Sequence, residues 1–138
     1  MLEVMTVRDE SDEQAIEDWR RVHNEIIPVD PLSTEQVRER ITRNHLEVAY
    51  LDGILVGCST IRPPNDGVVT VIVRVLPEFR RQGLGTRLYE RALEHAQTLA
   101  PQHIETIIWA PNRAGVDFAL AKGFVEVERD QDWVLLRR

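Results

Sequence analysis

Five arginines, Arg74, Arg80, Arg81, Arg87 and Arg91, fall close together around Gly83 and Gly85 in a chain whose formal net charge is −6. That grouping suits anion chemistry. Glycine lacks a Cβ, so backbone N–H groups beside it can approach an oxyanion closely, and a helix starting there adds partial positive charge. The segment Val73-Arg74-Val75-Leu76-Pro77-Glu78-Phe79-Arg80-Arg81-Gln82-Gly83-Leu84-Gly85-Thr86 has this form, and a pyrophosphate is the ligand it suits. A glycine pair alone serves equally well as a structural turn, so its context has to decide. That context excludes the two common nucleotide loops. No Gly-Lys-Ser/Thr follows after four intervening residues, and no glycine stands at or near Leu88, where a dinucleotide fingerprint needs one.

Other side chains with chemical potential are scattered. His23, His45, His95 and His103 lack metal-ligand spacing, and the single cysteine, Cys58, gives them no thiolate partner, so no metal site is expected. Cys58 lies in the strand-like run Val56-Gly57-Cys58-Ser59 and reads as a small buried hydrophobe in preference to a nucleophile. It cannot form an internal disulfide, which fits a cytoplasmic protein. An excess of acidic residues argues against a nucleic-acid partner. No run approaches the length needed to span a bilayer, and the charged start of the chain does not resemble a signal peptide, so no membrane association is expected. With 138 residues, 43% of them hydrophobic, the sequence reads as one domain, 1–138.

The positioning elements follow from periodicity. Leu2 to Val7 reads as an edge strand, and Ser11-Asp12-Glu13-Gln14 as a capping box opening a helix through Trp19 and Val22. After Pro28 and Pro31, Ser33-Thr34-Glu35-Gln36 predicts a second capped helix carrying Val37 and Ile41. Leu46 to Leu51 and Ile54 to Ile61 flank Asp52-Gly53, which suits a type I′ hairpin. Val68 to Leu76 is apolar on both faces at its start and is expected at the centre of the sheet. Leu84, Leu88, Ala92, Ala96 and Leu99 recur at helical spacing; Arg87 and Arg91 are expected to share an exposed face with Glu90 and Glu94. Ile104 to Trp109 reads as a strand, Asn112 to Lys122 as a helix, and Phe124 to Glu128 with Trp133 to Leu136 as a closing antiparallel pair. The order is β-α-α-β-β-β-α-β-α-β-β, a mixed α/β layer fold. Trp19, Trp109 and Trp133 fit either the core or a pocket wall.

The spacing Arg80-x-x-Gly83-x-Gly85, with its Val75-x-Pro77 lead-in, resembles motif A of the GNAT superfamily of N-acetyltransferases. Asn112 through Ala119 to Gly123-Phe124 resembles motif B of that family. The resemblance implies a central mixed, mostly antiparallel sheet flanked by helices, with acetyl-CoA as co-substrate. It further implies that the amides of Arg81, Gln82, Gly83, Leu84, Gly85 and Thr86 hold the pyrophosphate. The backbone of Val73, Arg74 and Val75 would bond the pantetheine arm like an added strand, with Asn112 on its other side. The thioester would lie where the strand ending at Leu76 splays from Ile104 to Trp109. One departure matters: the tyrosine that commonly protonates the leaving thiolate is replaced by Ala119. A thiol of pKa about 8.5 can leave as thiolate, so transfer survives that loss.

His23, Glu25 and Asp30 are the base candidates on the expected acceptor side, each equally readable as an ordinary polar residue, and a water chain is an alternative. Arg74, a lone charge in an apolar strand, either meets a substrate carboxylate or snorkels to the sheet edge, and the structural role is preferred. Direct transfer to a primary amine, on a small molecule or a peptide, is the leading expectation, and the net charge leans toward a cationic acceptor. The alternative is a non-catalytic acyl-CoA-binding regulatory module, suggested by Ala119. The last strand pair offers an edge for dimerisation, so monomer and homodimer are both open.

Overall fold

The computed structural model describes residues 1–138. Its elements run β1 (Leu2–Thr6), α1 (Glu13–Ile26), α2 (Thr34–Ile41), β2 (His45–Leu51), β3 (Ile54–Ile61), β4 (Val68–Val75), α3 (Leu84–Gln97), β5 (His103–Trp109), α4 (Arg113–Ala121), β6 (Val125–Arg129) and β7 (Trp133–Arg137). A short 3-10 turn, Pro77–Phe79, lies between β4 and α3. The element order matches the sequence expectation, with small shifts at the boundaries. The seven strands form one sheet in the order β1-β2-β3-β4-β5-β7-β6. Every neighbouring pair is antiparallel except β4 with β5.

Local chemistry accounts for the ends of these elements. Asp52 and Gly53, with φ of 51° and 84°, form the left-handed pair that a two-residue hairpin between β2 and β3 requires. At α2 the capping box is complete: Gln36 N donates to Ser33 Oγ at 3.2 Å, and Ser33 N donates to Gln36 Oε1 at 2.8 Å. The corresponding box at α1 does not form. Ser11 N donates to Asp9 Oδ1 at 2.8 Å, Gln14 bonds Asp18, and Asp12 becomes the cap residue without a side-chain bond. Asp9, two residues upstream, captures Ser11 in a local turn that competes with the cap.

Alternation along the central strands divides the core. Cys58 and Arg74, paired across β3 and β4, face α1, whereas Ser59 and Val73 face α3. On the α1 side Trp19, Val22, Val37, Val48 and Leu76 pack together, and the fully buried indole of Trp19 donates to Ser59 O at 3.2 Å. On the α3 side Val71, Ala92, Ala96, Ile104, Val134 and Leu136 form a second cluster. Gly57 is demanded by close approach, because a Cβ there would stand 2.5 Å from the Arg74 carbonyl oxygen.

Arg87, Glu90, Arg91 and Glu94 are exposed as expected, and Arg91 also reaches across to β2. Its Nε donates at 3.1 Å to Glu47 Oε2, on a side chain that is 3% exposed and that also accepts from Ser59 Oγ at 3.3 Å. Burial opposes this carboxylate's charge, but the bonds from His45 and Arg91 outweigh it and hold the pKa below the usual range. The pair fastens α3 to β2.

Candidate active site

The sheet opens along its one parallel junction. β4 and β5 pair only at Val68 with His103, Val69 with Ile104 and Thr70 with Glu105, then diverge. The alternation of bonds fixes what faces the gap. Arg62 N donates to Thr70 O and Leu76 N donates to Val56 O, so Ile72 and Arg74 direct their amides to β3. Val73 and Val75 therefore turn their backbone groups away from β3, toward the opening. A cavity of about 510 Å³ occupies it, walled by β4, by Thr106 to Trp109 of β5, by α4 and by Ile26 and Ile27 at the end of α1.

At one mouth of this cavity α3 begins without protection. Gly83, at φ 78°, is its first flanking residue; no side chain caps the helix and no acid stands in its first turn. By contrast, α2 has its capping box and Glu35, and α4 is capped by the Asn112 side chain, which accepts from Gly115 N at 3.1 Å. The amides of Leu84, Gly85 and Thr86 are consequently the free N-terminal donors of a 14-residue helix. Arg81 also has positive φ, 64°, so left-handed residues bracket Gln82 and curve the loop. Arg80 Nε donates to Val75 O at 3.0 Å, tying this loop to the end of β4.

Among the residues expected to hold acetyl-CoA, Val73, Arg74, Val75, Arg81, Gly83, Gly85, Thr86 and Asn112 line the cavity. Gln82 is exposed beside it, and Leu84 sends its side chain into the small cluster with Val56 and Leu88. Asn112 uses its oxygen for the cap, leaving its NH₂ without a protein acceptor. Ala119 lies on the cavity wall and is buried, so no hydroxyl stands at that position. Nothing in the sequence marks Tyr89 as a cavity residue, since its helical spacing reads as core. It lines the wall in edge contact with Phe118 and Phe124, and its hydroxyl accepts from Arg138. Of the tryptophans, Trp109 lines the cavity, Trp19 is core, and Trp133 packs beside the α1 cluster.

The base candidates separate. None of the three lines the cavity, and Glu25 and Asp30 are exposed. His23 is 3% exposed and stacked on Trp19, with ring centroids 5.4 Å apart. Its Nε2 faces Asp30 O at 3.1 Å and must be the donor, which leaves Nδ1 as a lone pair with no partner. Burial, reinforced by the charge of Arg74, pulls its pKa down to about 4. Cys58 is buried and its thiol is pushed up to about 11 by desolvation, against the opposing influence of Arg74. That environment makes an inert thiol, not a nucleophile. No three His, Cys, Asp or Glu side chains converge as metal ligands, and no helix is long and apolar enough to cross a membrane.

The splayed parallel junction, beside a helix with a free N-terminus, suits a ligand that joins an anionic group to an extended arm. The model of the acetyltransferase (GNAT) family matches residues 7–124, and the chain belongs to that family. It is an acetyltransferase by that membership. Among solved structures, PaiA N-acetyltransferase from Thermoplasma acidophilum, in complex with coenzyme A, superposes with a TM-score of 0.75 at 14% identity, over 99% of this chain and 98% of that one. YncA from Salmonella typhimurium, with its cofactor acetyl-CoA, gives 0.77 at 16% identity, over 99% and 92%. The ribosomal-protein-S18-alanine N-acetyltransferase from Escherichia coli gives the same values, 0.77 and 16%, with the same coverage, 99% and 92%. These likenesses are of fold. No curated protein matches the chain significantly in sequence.

Proposed function

We propose that the chain, acting as one domain, is an acetyl-CoA-dependent N-acetyltransferase that acetylates a primary amine directly. The observation that carries this reading is the continuity between the free amides of Leu84, Gly85 and Thr86 and the outward-facing backbone of Val73 and Val75 along one cavity. The first set, with Gln82 and Gly83, suits a pyrophosphate. The second suits an arm with alternating amide donors and acceptors, bonded as an extra strand. Asn112 supplies a further donor from the opposite wall. The coenzyme A complex of PaiA and the acetyl-CoA complex of YncA support coenzyme A as the ligand of this shape.

In the transfer, the amine lone pair attacks the thioester carbonyl carbon, the C–S bond breaks, and the sulfur leaves with the electron pair. The amine proton passes to solvent or a nearby base. With Ala119 on the wall, the thiolate departs without help from that position; an ordinary thiol pKa of about 8.5 allows this at some cost in rate. Of the base candidates, His23 is neutral at pH 7 but buried behind the cavity lining, and Glu25 and Asp30 lie in solvent, so a water chain suits the proton's exit. The enzyme works in the cytoplasm under this reading, as a monomer or as a homodimer through the fully exposed edge strand β6.

Calorimetric titration with acetyl-CoA, run beside a free-thiol assay over a panel of amines, tests the proposal. The expected result is binding, with thiol released only when an amine is present. Gly83→Glu, which adds a carboxylate at the α3 N-terminus, should abolish binding with an unchanged circular dichroism spectrum. Ala119 motivates one rival, an acyl-CoA-binding regulatory module without catalysis. Binding with no release from any amine would decide for it.

A further inference from the structure

Three half-buried arginines gather on the α1 face of the sheet without an ion pair to any carboxylate. They are Arg74 on β4, Arg62 just beyond β3, and Arg40 near the end of α2. Their charges act on one another: Arg40 and Arg62 both oppose that of Arg74, and Arg40 opposes that of Arg62. Other arginines in the chain, Arg20, Arg38, Arg43, Arg91 and Arg137, each have a carboxylate within salt-bridge range. Asp30 is close enough to influence Arg40 and His23, but it forms no ion pair with Arg40 and is exposed. In a chain with 23 acidic residues against 17 basic ones, three neighbouring cations lacking any such partner make an unbalanced local charge.

The cluster reaches the cavity through Arg74. That side chain faces α1, lines the cavity with Ile26, Ile27 and Ile72, and lies in the middle of the sheet, so it does not snorkel to an edge. Its only side-chain hydrogen-bonding neighbour is the Cys58 sulfur, a weak acceptor that leaves most of the guanidinium fork unused. Beside it, His23 presents the one buried side-chain polar atom in the chain with no partner, the Nδ1 lone pair. Of this group Arg74 is the one on the cavity wall, so it is the guanidinium that a ligand there would meet.

We propose that the acceptor amine also carries a carboxylate, which Arg74 binds with Arg62 and Arg40 behind it, so that the enzyme acetylates small amino acids in preference to neutral or cationic amines. This rests on the transferase reading above and names its substrate class. A carboxylate answers the planar fork of an arginine with two oxygens. Burial, with Arg40 and Arg62 acting in the same direction, holds the Arg74 pKa below its usual value, which an incoming anion would reverse. Arginine nevertheless stays protonated at neutral pH. The local field therefore points opposite to the net charge of −6.

The test uses α-, β- and γ-amino acids beside their carboxamides, in both the thiol-release assay and calorimetry on protein saturated with coenzyme A. At least one amino acid is expected to exceed its carboxamide in kcat/KM by about 10- to 100-fold, the range that charged hydrogen bonds of 1.5–3 kcal/mol provide. Most of the difference should lie in KM. Arg74→Gln should collapse that ratio toward one, Arg62→Gln should lower it, and Arg74→Lys should retain part of it. Carboxylate binding to the coenzyme A complex without transfer from any amine would sustain the anion site and overturn the transferase reading. Transfer to carboxamides as fast as to every amino acid, or a ratio unmoved by Arg74→Gln, would overturn the present proposal and leave the transferase standing. So would the absence of any carboxylate binding.

Discussion

His23 shows how one buried side chain makes stability depend on pH. Its folded pKa, about 4, lies below the unfolded value near 6.5, with burial the first cause and the charge of Arg74 the second. Between those values the unfolded chain binds more protons than the folded one, so stability rises with pH across the window. The contribution is complete above about 6.5, is lost progressively as pH falls toward 4, and changes no further below that. His95, also lowered by burial and by the charge of His45, adds a slope that begins at the same end. Glu47, held below its usual value, acts only at lower pH. Urea unfolding of the native protein and of His23→Gln from pH 7.5 to 4.5 isolates the His23 part, because glutamine can still donate to Asp30 O. The variant is expected to show the shallower loss, and identical slopes would exclude His23 as its source. At this scale the tight loop that opens α3 was legible in the sequence, since Gly83, Gly85 and Arg80 lie within six consecutive residues whose spacing carries the geometry. The union of Arg40, Arg62 and Arg74 was not, because only the folding of α2 onto the sheet brings them together.

Helix starts demonstrate the difference between a motif and the element it opens. Ser11-x-x-Gln14 and Ser33-x-x-Gln36 carry the same signal, yet only Ser33 caps its helix. Ser33→Ala should therefore cost about 1 kcal/mol, the typical value of an N-cap bond. Ser11→Ala, which removes a hydroxyl that bonds Asp9 outside the helix, should change stability by less than about 0.5 kcal/mol, as expected of an exposed site. Chemical denaturation of both variants measures the contrast, and equal losses would contradict the assigned caps. The strands and long helices were readable because their patterns are local: β-branched runs for β3 and β4, and Leu84, Leu88, Ala92 and Ala96 on one face of α3. The role of Arg91 was hidden for the opposite reason. Its partner Glu47 lies 44 residues away, and on sequence alone Glu90 and Glu94 are the nearer acids.

Taken whole, the molecule is two sheet segments, β1-β2-β3-β4 and β5-β7-β6, joined side by side through only three residue pairs. Helix α3 crosses from β4 back to β5, so the opening between the segments is lined by strand backbone on one side and helix amides at its mouth. A ligand bonded to the β4 edge continues the sheet where β5 has left it. This makes a prediction that distinguishes neighbouring residues of one strand. The amides of Ile72 and Arg74 are directed at β3 and should exchange slowly with solvent deuterium whether or not a ligand is present. Those of Val73 and Val75 face the gap and should be protected strongly only when acetyl-CoA fills it. Gly85 and Thr86, at the free start of α3, should slow in parallel if their donors meet the pyrophosphate as proposed. At a concentration a hundred times Kd the ligand should also stabilise the fold by about 2.7 kcal/mol, seen as a higher Tm. Exchange followed by NMR resolves the alternation. Uniform protection of all four β4 amides on binding would indicate a general tightening of the sheet. If instead Val73 and Val75 exchange at the same rate in free and ligand-saturated protein, the arm does not bond β4 as an added strand and must run along the α4 wall through Asn112.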